Sequence, residues 1–134
     1  MHTTEIRVRF DEVDAMGIVH HPRYLVYFEV ARTAYLRDLG LPYSEMLRTG
    51  THLAVLSTAT RHLLPARYDD DIRVATRCTA CGGARVTLEY EVRRGADLLA
   101  TGCTRLGAVT PDGRATRLPA VFRDVLAGRA VAPE

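Results

Sequence analysis

The first residues of the chain alternate. Between Glu5 and Phe10, Ile6, Val8 and Phe10 fall on one side of an extended segment and Arg7 and Arg9 on the other, which predicts a half-buried strand. The period changes at Tyr24. Tyr24, Tyr27, Phe28, Ala31, Ala34 and Tyr35 share one helical face, and Leu25, Val26, Val30 and Leu36 widen it almost all round. That spacing predicts a largely buried helix. Its few charges are Arg23, Glu29, Arg32, Arg37 and Asp38, and Glu29 and Arg32 are placed to pair with each other or across a subunit interface. Gly40 and Pro42 end the helix, and Tyr43 to Arg48 fits a further short helical turn.

Beyond this point the pattern reads as strands. They run over His52 to Leu64, Asp71 to Ala80, Arg85 to Arg93 and Leu98 to Thr110. Ile72, Val74, Thr76 and Cys78 mark one inward face, and Val86, Leu88, Tyr90 and Val92 another. Gly82-Gly83 and Arg94-Gly95-Ala96-Asp97 have hairpin chemistry, Pro111-Asp112-Gly113 forms a turn, and Pro119 to Leu126 fits a closing helix. The class is therefore α+β: a meandering antiparallel sheet of five or so strands with one long helix on one face. The other face and the sheet edges find no cover in a chain of 134 residues, which predicts a dimer.

Composition narrows the chemistry. A chain this short holds one domain, residues 1–134. No apolar run is long enough to cross a bilayer, and MHTTEIRVRF lacks the core of a signal peptide, so the expected location is cytoplasmic without membrane insertion. Net charge is +2 with scattered arginines, which does not suggest a nucleic-acid partner. All 18 basic residues are arginine, so Schiff-base, pyridoxal-phosphate and Walker-lysine chemistry are excluded. The two serines, Ser44 and Ser57, lie outside any G-x-S-x-G elbow. Cys78, Cys81 and Cys103 are odd in number, against a disulfide framework, and Cys78-x-x-Cys81 falls at a strand end rather than at the helix start a redox motif needs.

One stretch concentrates reactive groups: FDEVDAMGIVHHPRY, residues 10–24. It reads as a strand end, a loop and a helix start. Pro22 suits the first helical position and forces His21 to be extended. The free N–H groups around His21 to Tyr24 then form the positive end of the helix dipole, suited to polarising a carbonyl. Asp14, one loop away, is a candidate nucleophile or base against its plainer role as a turn residue. His21 is either a side chain contacting substrate or a helix-entry residue offering only its backbone. His20 is expected to point the other way, and two adjacent histidines without a third ligand make a poor metal site. Asp69 to Asp71 read as a solvated turn, and His52 and His62 as strand residues without catalytic duty.

These residues carry a resemblance. Asp14-Ala15-Met16-Gly17-Ile18-Val19, with His21, Tyr24, Phe28, Glu29, Ala31 and Arg32 following, resembles the hotdog-fold acyl-CoA thioesterases of the 4-hydroxybenzoyl-CoA thioesterase family. Leu64-Pro65-Ala66-Arg67-Tyr68-Asp69-Asp70, the strand from Arg85 and the segment Pro111 to Pro119 are similar to later parts of the same pattern. The resemblance implies a hotdog: a sheet wrapped around a central helix, paired into homodimers and often homotetramers, with interfacial active sites and no metal or cofactor. It implies acyl-CoA or acyl-carrier-protein substrates. Asp14 matches the family's catalytic carboxylate, and His21 a histidine of the Tol-Pal-associated, cell-envelope branch. Gly17, Ile18, Val19 and Tyr24 match positions around the substrate, and the N–H near His21 matches the group that polarises the thioester carbonyl. Arg67 and Arg85 either hold a phosphate of the pantetheine carrier or serve only at the surface.

The chain also departs from the pattern. Phe10 stands where many relatives have tyrosine, Glu12 replaces an aspartate, and Gly82-Gly83-Ala84 occupies the place of a basic coenzyme-A-binding cluster. That last change leaves an acyl carrier protein open as the alternative donor. Two rival readings are a hotdog hydratase or dehydratase, whose R-x-D-x-N-x-x-H string is missing, and a non-catalytic acyl-thioester-binding protein.

Overall fold

The computed structural model describes residues 1–131; the last three residues of the expected 1–134 domain lie outside it. In chain order the elements are β1 (His2–Arg7), a 3-10 turn (Phe10–Glu12), α1 (Arg23–Asp38), α2 (Tyr43–Arg48), β2 (His52–His62), β3 (Asp71–Cys81), β4 (Arg85–Arg94), β5 (Asp97–Val109) and α3 (Ala120–Arg129). The strands form one antiparallel sheet in the order β1-β3-β4-β5-β2. With α1 packed on one face, this is the hotdog architecture that the resemblance implies.

Two expectations need correction. Only β3, β4 and β5 meander. β2 pairs with β5, so after His62 the chain crosses the end of the sheet before β3 begins. Alternation identifies a strand but not its partner. The first strand is also displaced, since it starts at His2 and ends at Arg7. Beyond it, Val8 and Asp69 to Asp70 exchange backbone bonds, and Arg9 to Glu12 turns the chain. Phe10 is left 76% exposed, edge-on to Tyr68, rather than on a buried face.

α1 follows its sequence signals closely at the end. Gly40 adopts φ +79°, and Leu41 N–H and Gly40 N–H reach back to the carbonyls of Leu36 and Arg37 at 2.8 and 3.0 Å. This is a Schellman closure, which needs a residue free to enter the left-handed region. Its inner face packs Tyr24, Tyr27, Phe28, Ala31 and Tyr35 into the core. Phe28 lies flat on Tyr90, with ring centroids 4.3 Å apart and planes 12° from parallel. Gly102 passes directly beneath that ring, where a Cβ would lie 2.3 Å from it. Each side chain of this size that leaves water contributes about 1.5–3 kcal/mol.

The outer stripe of α1 is not buried as expected. Leu25, Val26 and Val30 are 39%, 42% and 45% exposed, because the sheet covers only the opposite face. Glu29 and Arg32 do not pair with each other; the Arg32 charge acts on the Tyr90 hydroxyl, which bonds Thr104 Oγ1 at 2.7 Å. Cys78 is buried on the inner face of β3, and burial, with Cys81 beside it, pushes its thiol up to about 11. All three cysteines are free thiols. No helix among the described residues is long and apolar enough to cross a membrane.

Candidate active site

Two loops meet at one end of the sheet. In the first, Asp14 N–H donates to Ile18 O and Gly17 N–H to Asp14 O, each at 2.9 Å, while Val13 and Val19 bridge across its base. The turn requires φ +78° at Gly17, which only glycine adopts without strain. In the second, Leu63 and Leu64 N–H groups bond Leu99 O at 2.8 and 3.1 Å as the chain leaves β2. The loops then join. Val19 N–H donates to Ala66 O at 2.8 Å, and Ile18 bridges to Arg67.

Between them and the start of α1 lies a cleft of about 360 Å³, lined by Asp14, Ile18, Val19, His21, Tyr24, His62, Leu63, Leu64 and Pro65. Five candidate residues of the motif therefore line it together: Asp14, Ile18, Val19, His21 and Tyr24. Gly17 shapes the loop without lining the cleft. One Asp14 oxygen, Oδ1, accepts the Met16 N–H at 2.8 Å, which fixes the carboxylate; Oδ2 has no protein partner among the described residues. Asp14 is thus a turn residue and a cleft carboxylate at once.

The helix entrance differs from expectation in one respect. Pro22 takes helical angles, φ −65° and ψ −20°, so the chain is already turning there. Arg23, Tyr24 and Leu25 N–H groups consequently reach the carbonyls of His20, His21 and Pro22. The free donors expected from His21 to Tyr24 reduce to the His21 N–H, which has no acceptor among the described residues. The His20 and His21 rings meet at 5.0 Å, and only His21 lines the cleft. Tyr24 is buried; burial pushes its hydroxyl up, and a backbone hydrogen bond at Ala66 offsets this only in part, so it remains a neutral polar group.

Two residues of the site carried little sequence signal. His62, the last residue of β2, stands in the cleft with its ring 4.9 Å from that of Tyr24. Its only hint is its place two residues before the Leu64 to Asp70 segment. Glu12, noted only as a departure from the family pattern, is 4% exposed beneath the Asp14 loop and accepts the Tyr27 hydroxyl at 3.1 Å. Nothing in a linear pattern distinguishes it from Asp11, which is exposed.

The cations separate. Arg67 borders the cleft through its bridge to Ile18, and its N–H donates to Asp70 Oδ2 at 2.8 Å. Arg85 opens β4 opposite Gly107, whereas His62 pairs with Ala100. Those two partners lie seven positions apart on β5, so Arg85 lies roughly 23 Å along the strand from the cleft. Arg117, which sequence reasoning passed over, lays its guanidinium against Gly83 near Arg85. The Asp69 to Asp71 turn is not merely solvated, since Arg7 pairs with Asp69 and Asp71, and Arg94 with Asp70 at 2.8 Å. Among the described residues, no group of three or more His, Cys, Asp or Glu side chains is arranged to hold a metal ion.

Asp14 and His21, the latter with its backbone N–H unpaired among the described residues, thus line one apolar-walled cleft. A model of the thioesterase-like superfamily matches residues 8–126. The acyl-CoA thioesterase YbgC of Haemophilus influenzae is 32% identical over 123 residues, covering 87% of this chain and 90% of the relative. The crystal structure of hypothetical protein TT1821 from Thermus thermophilus superposes with a TM-score of 0.90 at 34% identity, covering 96% of this chain and 97% of that one. A DHNA-CoA thioesterase of Staphylococcus aureus superposes at 0.86 with 31% identity, covering 91% and 83%.

Proposed function

Because the chain belongs to the thioesterase-like superfamily, we propose that it hydrolyses acyl thioesters carried on coenzyme A or an acyl carrier protein. The observation that carries this reading is the shared cleft of Asp14 and His21 beside an apolar wall of Ile18, Val19, Leu63 and Leu64. The thioester carbonyl oxygen would accept the His21 N–H. Its carbon would then be attacked by the Asp14 carboxylate, or by a water that gives its proton to Asp14. In the first case a mixed anhydride forms, the thiolate leaves, and water hydrolyses the anhydride. In the second, a tetrahedral oxyanion collapses and the thiolate leaves with a proton. Both place negative charge on the oxygen facing the helix entrance, where a fixed donor is most effective. The His21 imidazole and the Tyr24 and Gly17 segments orient the acyl group, and no cofactor or metal is required.

In this reading the phosphates of the donor fall to Arg67 in one protomer and to Arg85, with Arg117, in another. The exposed stripe of α1 and the free edge of β2 support a homodimer, and through it a homotetramer, working in the cytoplasm as one domain of residues 1–134. Replacing Asp14 by Asn tests the chemistry. It is expected to lower kcat at least about 100-fold on short, long and aromatic acyl thioesters presented on both carriers, with folding unchanged. Wild-type rates in the folded variant would remove Asp14 from the mechanism. Tight binding of acyl thioesters by the wild type without turnover would make the protein a binder instead.

A further inference from the structure

Glu12 is the one acidic residue buried among the described residues, at 4% exposure. A carboxylate taken out of water is costly unless its charge and lone pairs are met. The plain explanation is a turn cap, since Glu12 Oε1 accepts the Arg9 N–H at 2.8 Å and closes the 3-10 turn. That role needs no burial, because a cap of this kind works at the surface. The same oxygen also accepts the Tyr27 hydroxyl at 3.1 Å, with Tyr27 itself 1% exposed on the inner face of α1. The Arg9 guanidinium lies 3.8 Å from the other oxygen and balances the charge from the solvent side.

The backbone of Glu12 is equally committed. Its carbonyl accepts the His20 N–H at 2.9 Å, exactly where the loop that carries Asp14 returns. Glu12 therefore grips the two ends of the site. Its main chain closes the loop between Val13 and Val19, and its side chain fastens that closure to α1. Asp14 lies two residues after Glu12, and the free His21 N–H lies one residue after His20. The separation between attacking carboxylate and carbonyl-polarising donor depends on this junction.

We propose that Glu12 is a positioning residue, whose hydrogen bond with Tyr27 sets the Asp14 loop against the entrance of α1. The inference rests on the reading of Asp14 and His21 given above. Burial, and then the adjacent Glu12 carboxylate, push the Tyr27 hydroxyl well above its ordinary value, so it stays a donor. Displacements of about 1 Å between reacting groups cost on the order of 100-fold in rate, so a loosened junction should be visible in turnover.

Two conservative variants separate positioning from charge. Tyr27→Phe keeps the ring and deletes the hydroxyl, whereas Glu12→Gln keeps an acceptor at Oε1 and deletes the charge. For Tyr27→Phe, kcat is expected to fall roughly 10- to 100-fold with KM within about threefold and the pH profile unshifted, because Asp14 itself is untouched. Glu12→Gln is expected to hold kcat within about threefold of wild type. Amide exchange over residues 14–20 is expected to quicken at least about tenfold in Tyr27→Phe but not in Glu12→Gln, with β3 and β4 amides unchanged in both. Unchanged loop exchange in Tyr27→Phe overturns the proposal, as does a loss in Glu12→Gln equal to that in Tyr27→Phe. Exchange scores the clamp even if Asp14→Asn proves fully active, so the two readings fail separately.

Discussion

At the scale of single residues, the closest constraint lies under Phe28. Gly102 has no side chain because the Phe28 ring occupies the space, and a Cβ there would meet two ring carbons at 2.3 Å. A methyl group must therefore push the ring off its stack with Tyr90 or move β5. Gly102→Ala is expected to cost about 1–3 kcal/mol, read as a lower urea midpoint with an unchanged slope. An unaltered midpoint would mean that the core yields more easily than its packing implies. The site shows where such detail escapes a linear reading. Asp14, Ile18, Val19, His21 and Tyr24 belong to one continuous motif, so their pattern is visible in the chain. Glu12 and His62 are not legible in this way. Burial of Glu12 depends on Tyr27, and His62 reaches the cleft only because β2 happens to end there.

Among the elements, the segment between β2 and β3 has the most to hold in place. It carries Leu63 to Pro65 into the cleft and then must enter the sheet between β1 and β4. Asp70 anchors it through the Arg67 N–H and the Arg94 guanidinium, both at 2.8 Å, and Arg94 also reaches Pro65 O at 3.1 Å. Burial alone would raise the Asp70 carboxyl, but these two partners outweigh it and hold it below the usual carboxylate range. A depressed folded-state value adds stability above the unfolded value, near pH 4, that is lost as pH falls through the folded value. Asp70→Asn should therefore cost about 1 kcal/mol at neutral pH and almost nothing near pH 2, by urea unfolding at both. An equal cost at both pH values would show that charge is irrelevant there. Strand interiors such as Ile72 to Cys78 and Val86 to Val92 were plain in the alternation, and Gly40 marked the end of α1. The crossover was not, because pairing of β2 with β5 rests on contacts between strands some 45 residues apart.

For the whole molecule, one apolar surface is left uncovered among the described residues. Leu25 and Val26 of α1 and Val55 of β2 share a shallow cleft with Glu29, Arg32 and Thr58, and β2 forms an edge of the sheet. Val55 and Leu56 are 50% and 51% exposed on that strand. An apolar helix stripe beside an open strand edge is the surface a second copy would cover. Val55→Asp is expected to move the protein from dimer to monomer in sedimentation at micromolar concentration and to lower turnover with it. A wild-type protein that sediments as a monomer and remains active would end the dimer reading.

The pairing of β2 has a further consequence during synthesis. β2 ends at His62, and the strand that covers it starts at Asp97, roughly 35 residues later. At about 5–20 residues per second, a ribosome takes about 2–7 seconds to reach the start of that partner. For this interval the nascent chain holds a strand with both edges unmatched, and α1 ahead of it has no finished sheet to lie on. The sheet closes only when its last strand emerges, so premature association threatens the unfinished chain more than the released protein.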